Sequence, residues 1–100
     1  MPESPWINFE VFAAQLNTPF RLKLAEAPAV ELRLVEANDH STPRQEMFSL
    51  HFQGPREPFL PQATYPLEHD QLGPLAIFLV PIGGGENGFR YEAIYNRVRE

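Results

Sequence analysis

The chain has no cysteine among its 100 residues. Disulfides, thiolate metal sites and thiol nucleophiles are therefore excluded. No apolar run approaches the ~20 residues that a membrane-crossing helix needs. The opening stretch MPESPWINFE has neither the basic nor the apolar segment of a secretory signal. A cytoplasmic location and no membrane partner are expected. Basic residues are scarce, with eight Lys and Arg against thirteen Asp and Glu, a net charge of −5. The two arginines of the terminal NRVRE are too few for a phosphate-binding face, so no nucleic-acid partner is expected. Serine and threonine are few, and none stands in a nucleophile elbow of the GxSxG kind. HxH and HExxH spacings are missing, so neither a metal nor another cofactor is expected.

What is present describes one small domain over residues 1–100. Hydrophobic residues make up 43% and include eight Phe, which points to a Phe-rich core of about two packed layers. In WINFEVFAAQLN, the residues Phe9, Phe12, Ala13 and Leu16 fall on one helical face, which predicts a helix over 8–16. Asn8 is placed to cap it, with Ile7 and Phe12 as a hydrophobic staple. Asn17 is placed to end it in the left-handed conformation, and Pro19 prevents continuation. Trp6 is expected to pack under the helix.

After Pro19 the apolar period becomes two. Strands are predicted near 20–25, 30–35, 46–53, 64–69, 75–82 and 89–97. The polar stretch 36–46 and the proline-rich stretch 54–62 read as long loops. Pro66 belongs at an edge or bulge. LAIFLVPI is apolar on both faces, as expected of a central strand or one covered by the helix. No helix separates the strands, so neighbours can pair antiparallel. The fold class is mainly β with one N-terminal helix, a small antiparallel barrel or two-sheet sandwich. The core is expected to hold Phe48, Leu50, Phe52, Leu79 and Tyr91 with Phe12 and Leu16.

Gly83-x-Gly85-x-x-Gly88 matches the dinucleotide fingerprint as text, but not in mechanism. That fingerprint needs a helix after the last glycine and an acidic residue about 20 positions on. Here FRYEAIYN alternates like a strand and the chain then ends. Asn87-Gly88 reads instead as a hairpin signal, since both residues tolerate positive φ.

Two groups of residues are candidate sites. His51, Glu68, His69 and Glu92 form a metal or acid–base site only if the strands align, and neighbours on a strand point to opposite faces. In GPREPFLPQ, Pro55, Pro58 and Pro61 recur every three residues, the repeat of a polyproline II turn. Such a segment serves either as a stiff crossover that closes the core or as a rigid contact surface. The second reading places Arg56, Phe59 and Leu60 against a protein partner, since aromatic and Arg side chains are common interface anchors.

FSLHFQGP, LPQATYPLEHDQLGPLAIFLVPIG and FRYEAIYNR resemble an uncharacterised bacterial family of unknown function. Its pattern runs FxLxFxGP, then LPQGTYxLEHxxLGxLxLFLVPxG, then YEAxFN. The chain departs from it at Ala63, where the pattern has Gly, and at Pro74, where it has Glu. The resemblance implies no enzyme activity. Through gene neighbourhood it implies an accessory or assembly role for phage-tail-collar-like proteins. The expected function is a non-enzymatic protein-binding or assembly module. The alternative is a small-ligand-binding barrel, with enzyme activity as an option, built on the polar group.

Overall fold

A computed structural model of the chain describes residues 7–23 and 29–98. Trp6, Leu24 and the last two residues lie outside that range, as do the expectations placed on them. One short helix, α1 (Phe9–Ala13), precedes six strands. These are β1 (Pro19–Leu22), β2 (Val30–Asp39), β3 (Gln45–Gln53), β4 (Ala63–His69), β5 (Gly73–Gly85) and β6 (Gly88–Val98). They form a closed barrel in the order β1-β2-β3-β6-β5-β4, with every pair antiparallel.

α1 starts as its sequence dictates. The Asn8 side chain accepts from the Val11 backbone N–H at 3.0 Å, which satisfies a donor that has no partner within the helix. The helix is shorter than its apolar period predicts. It gives way to turns after Ala13, and Asn17 closes the segment at φ 68°. Leu16 is consequently 38% exposed and not in the core. Phe12 carries the packing, with ring centroids 6.0 Å from Phe48 and 5.4 Å from Tyr95. The helix plugs one end of the barrel, where burial drives the Tyr95 pKa up to about 12.

Strand alternation delivers the core. Phe20, Leu22, Leu32, Phe52, Leu67, Leu79 and Tyr91 all point inward and are at most 1% exposed. Phe20 meets Phe52 edge-on at 5.2 Å. β2 runs four residues beyond its predicted end, so 36–39 are strand and not loop. A bulge between Leu34 and Glu36 shifts the register and restores the alternation. Ala37 then faces in beside Leu50, while Glu36 and Asn38 face out. The polar composition belongs to the solvent side of a strand.

Two further expectations are answered by strand neighbours. The β1–β4 ladder stops at Leu22–Leu67. The next position of β4 is Pro66, which has no N–H to give. Among the described residues no helix covers the outer face of β5, and Phe78 stands 49% and Ile82 45% exposed. Ala63 opens β4 without positive φ.

Candidate functional site

The seven residues singled out from the sequence lie in three places. His51 and Glu92 meet on the outer wall of the barrel. His69 is buried at the helix end, with the exposed Glu68 pointing away from it. Arg56, Phe59 and Leu60 lie at the opposite end, in the loop from β3 to β4.

On the outer wall, adjacent strands bring together side chains of β2, β3 and β6. His51 Nε2 donates to Glu92 Oε2 at 3.2 Å, which leaves Nδ1 facing Glu36 Oε1 at 3.7 Å without a hydrogen bond. Arg90 approaches the same Glu36 oxygen at 3.6 Å, and Asn38 Nδ2 donates to Glu36 Oε2 at 2.8 Å. The Asn38 bond is the main reason that the Glu36 carboxyl lies below its usual range, with His51 and Arg90 adding to it against some desolvation. Glu36, Asn38 and Arg90 were not legible as neighbours of His51, because the sequence placed Glu36 in a loop. Among the described residues no group of three or more His, Asp or Glu is arranged to hold a metal ion.

His69 has a different occupation. Its Nδ1 accepts from the backbone N–H groups of Gln71 at 3.0 Å and Leu72 at 3.3 Å, across the β4–β5 turn. That places the ring proton on Nε2, which donates to Thr18 Oγ1 at 2.8 Å. Thr18 in turn donates to the Gln15 carbonyl at 2.6 Å. The imidazole thus ties the end of α1 to the far hairpin, with its ring centroid 4.4 Å from that of Phe20. His69 is buried at the helix end, Glu68 is exposed and points away from it, and His51 meets Glu92 on the outer wall, so the four residues make no common site.

The loop end is built around two glycines. Gly54 and Phe89 exchange backbone hydrogen bonds, at 2.8 and 3.2 Å, which extend the β3–β6 ladder. A Cβ at Gly54 would stand 2.7 Å from the Leu32 side chain, so the close approach needs glycine. The Glu57–Pro58 peptide is cis. The chain bends over residues 56–58, and with that bend the three prolines do not form one continuous polyproline II turn. Beyond the bend, Leu60 is 4% exposed and its N–H donates to the Tyr91 hydroxyl. Leu60 is an anchor in the core and not a contact residue. Tyr65 pins the next position by donating its hydroxyl to the Pro61 carbonyl.

Between these anchors, residues 55–59 form an arch. Phe59 is 49% exposed and rests edge-on against Phe89 at 4.9 Å. Beside it runs an open groove of about 550 Å³ lined by Arg56, Glu57, Gly84, Gly85, Glu86 and Phe89. A second open groove of about 350 Å³ lies along the glycine turn 83–88, with Gln53 and Arg90. The turn itself is Glu86-Asn87, with Gly85 paired to Gly88. Positive φ occurs at Gly88 and not at Asn87, so the turn sits one residue earlier than its Asn-Gly signature implies. Gly84 lets the Phe89 ring lie against the β5 backbone, since a Cβ there would stand 2.4 Å from that ring.

A family model for a domain of unknown function, DUF6916, matches residues 7–95. The chain belongs to this family. The match takes in α1, β1 to β5, the arch and β6 as far as Tyr95, so the fold described here is the family's domain. DUF6916 carries no assigned enzyme activity. No curated protein and no solved structure is significantly similar to the chain. No helix among the described residues is long and apolar enough to cross a membrane.

Proposed function

We propose that this DUF6916 domain is a non-enzymatic protein-binding or assembly module, and that Arg56 and Phe59 are its contact residues. One observation carries the reading. Phe59 is half exposed on an arch fixed at both feet, by Gly54 on Phe89 and by Leu60 on Tyr91. A large apolar side chain held rigidly in solvent loses little entropy when it meets a partner. Arg56 flanks it on the groove, and Arg beside an aromatic is a frequent hot-spot composition. The partner class that the family resemblance implies is a phage-tail-collar-like protein.

The test compares wild type with Phe59→Ser in pull-downs from the native host, read by mass spectrometry beside thermal melting. The expected result is one protein retained by wild type and lost by the variant, with the melting temperature held. A variant that keeps the full set of retained proteins, or that melts far below wild type, removes the case for a contact role.

A further inference from the structure

β5 outruns the strand beside it. β4 begins at Ala63, opposite Leu79, whereas β5 continues to Gly85. Beyond Leu79, β5 pairs with β6 on one side, and among the described residues no strand pairs with its other side. Gly84 is the residue this leaves open. Its neighbour across the ladder, Phe89, exchanges both of its backbone hydrogen bonds with Gly54. Gly84 and Phe89 are therefore a non-bonded pair, and the Gly84 N–H and C=O point away from β6. A Cβ at Gly83 or Gly85 would meet nothing within 4 Å, so there is room beside both.

Charge stands beside this edge. The groove of about 550 Å³ that Gly84 and Gly85 line is walled by Arg56, Glu57, Glu86 and Phe89. Among the described residues, none of the Arg56, Glu57 and Glu86 side chains takes part in a hydrogen bond or ion pair. Arg21, Arg90 and Arg97, by contrast, each meet a carboxylate. The groove therefore holds two unpaired carboxylates against one guanidinium, in a chain whose net charge is −5. The opposite face of the same strip differs. Arg90 points away from Phe89 on β6, and with Gln53 it lines the second groove.

We propose that the domain binds an extended segment of its partner protein at the Gly84 edge, with one Lys or Arg of that segment directed into the groove of Glu57 and Glu86. The proposal rests on the Arg56–Phe59 contact reading, whose groove this is, and adds the chemistry of the partner. An N–H and a C=O that leave one residue on the same side are satisfied by another extended backbone. Charge selects what that backbone carries. A single cation meets two carboxylates that nothing else neutralises, and the −5 chain attracts a cationic segment from a distance. The same field repels a second copy of the chain. Side chains of an added strand alternate between the two faces of the strip. The neighbours of the basic residue therefore face the groove of Arg90, while Arg56 stands in the first groove. Both arginines disfavour a run of basic residues. The fit is to one basic residue flanked by uncharged ones, and not to a polycation.

The probe is the blocked peptide acetyl-Thr-Val-Lys-Val-Thr-amide, titrated into the full chain and followed by backbone amide NMR. It is expected to shift the Gly84 and Gly85 amides and to saturate with a dissociation constant below about 1 mM. The same peptide with Glu in place of Lys should bind at least about tenfold more weakly. Glu57→Gln and Glu86→Gln should each weaken the lysine peptide about threefold, and added salt should weaken it further. Glu68→Gln removes the same charge from an exposed position on β4 and should bind like wild type. A lysine peptide that leaves the Gly84 amide unmoved overturns the proposal. So does one that binds no better than its glutamate counterpart, or that binds Glu57→Gln and Glu86→Gln as tightly as it binds Glu68→Gln. The pull-down with Phe59→Ser reports separately. A partner lost in Phe59→Ser, with no binding of the lysine peptide, keeps the contact reading and removes the basic strand. A lysine peptide that shifts Gly84, with the same proteins retained by wild type and Phe59→Ser, removes Phe59 from the contact and keeps the edge.

Discussion

Leu60 donates its backbone N–H to the hydroxyl of Tyr91 at 3.0 Å, and both residues are buried. The bond explains a tyrosine at the centre of an apolar barrel, because its hydroxyl satisfies a loop that leaves the β ladder. Tyr91→Phe keeps the ring and strands the Leu60 donor. The expected loss is about 1–3 kcal/mol, the cost of an unsatisfied buried group, measured by urea denaturation. Undiminished stability would mean that the N–H finds another acceptor, and that Tyr91 does not hold the arch.

Phe52 touches Phe20 inside the barrel and has no exposed surface. Phe52→Ala should cost about 3–5 kcal/mol, a large share of the roughly 5–15 that a domain has in total. Leu16 has the same apolar chemistry but is 38% exposed. Leu16→Ala should cost under about 1 kcal/mol. Equal losses at the two positions would mean that α1 runs on beyond Ala13 and buries Leu16.

The glycines of the β5–β6 turn are not equivalent. A Cβ at Gly88 would stand 2.0 Å from the Gly54 carbonyl oxygen, and its φ is +113°. Both the clash and the backbone strain act against Gly88→Ala, with an expected cost of at least about 1–3 kcal/mol. Gly83 meets nothing, and Gly83→Ala should stay within about 0.5 kcal/mol of wild type. Differential scanning calorimetry of the two variants separates them. The same geometry bears on shortening residues 83–88 to a bare Asn-Gly turn. That change removes the ladder pairs of Gly83, Gly84 and Gly85 and the seat of Gly54, so it should destabilise the loop end rather than pass unnoticed.

Local signals in the sequence were followed where they were physical and strong. Asn8 caps, Asn17 takes the left-handed conformation, and the alternating residues of β3 and β6 face the core as their period requires. Legibility failed where the partner strand decides. Residues 36–39 are polar because their outward side chains meet His51 and Ser49 across the sheet, and nothing in EANDH itself reports that neighbour. Leu60 was grouped with Arg56 and Phe59 as a contact residue because the three-residue proline repeat reads as one extended, rigid segment. The bend over 56–58 cancels that repeat and turns Leu60 inward. The exposure of Phe59 was legible as a consequence of anchoring its neighbours, although not the Phe89 ring that supports it.

His69 makes stability depend on pH. Burial holds its pKa below the ordinary 6.5, with Asp70 pulling it upward and Arg21 pushing it down. Its Nδ1 lone pair is occupied by the Gln71 and Leu72 N–H groups, and a proton there displaces both bonds. The unfolded chain, with an ordinary histidine, therefore binds that proton more readily than the folded one. The contribution to stability is complete above about pH 6.5 and is lost as pH falls from there toward the lowered folded pKa. Ring titration by NMR should find His69 less protonated than a free histidine at the same pH. Urea denaturation should show lower stability at about pH 5 than at about pH 8. Asp70→Asn removes the charge that favours the imidazolium, and should move the His69 titration further down. A His69 that titrates at or above 6.5 would show that the two turn bonds do not form, and that the residue is not the tie between α1 and the β4–β5 hairpin.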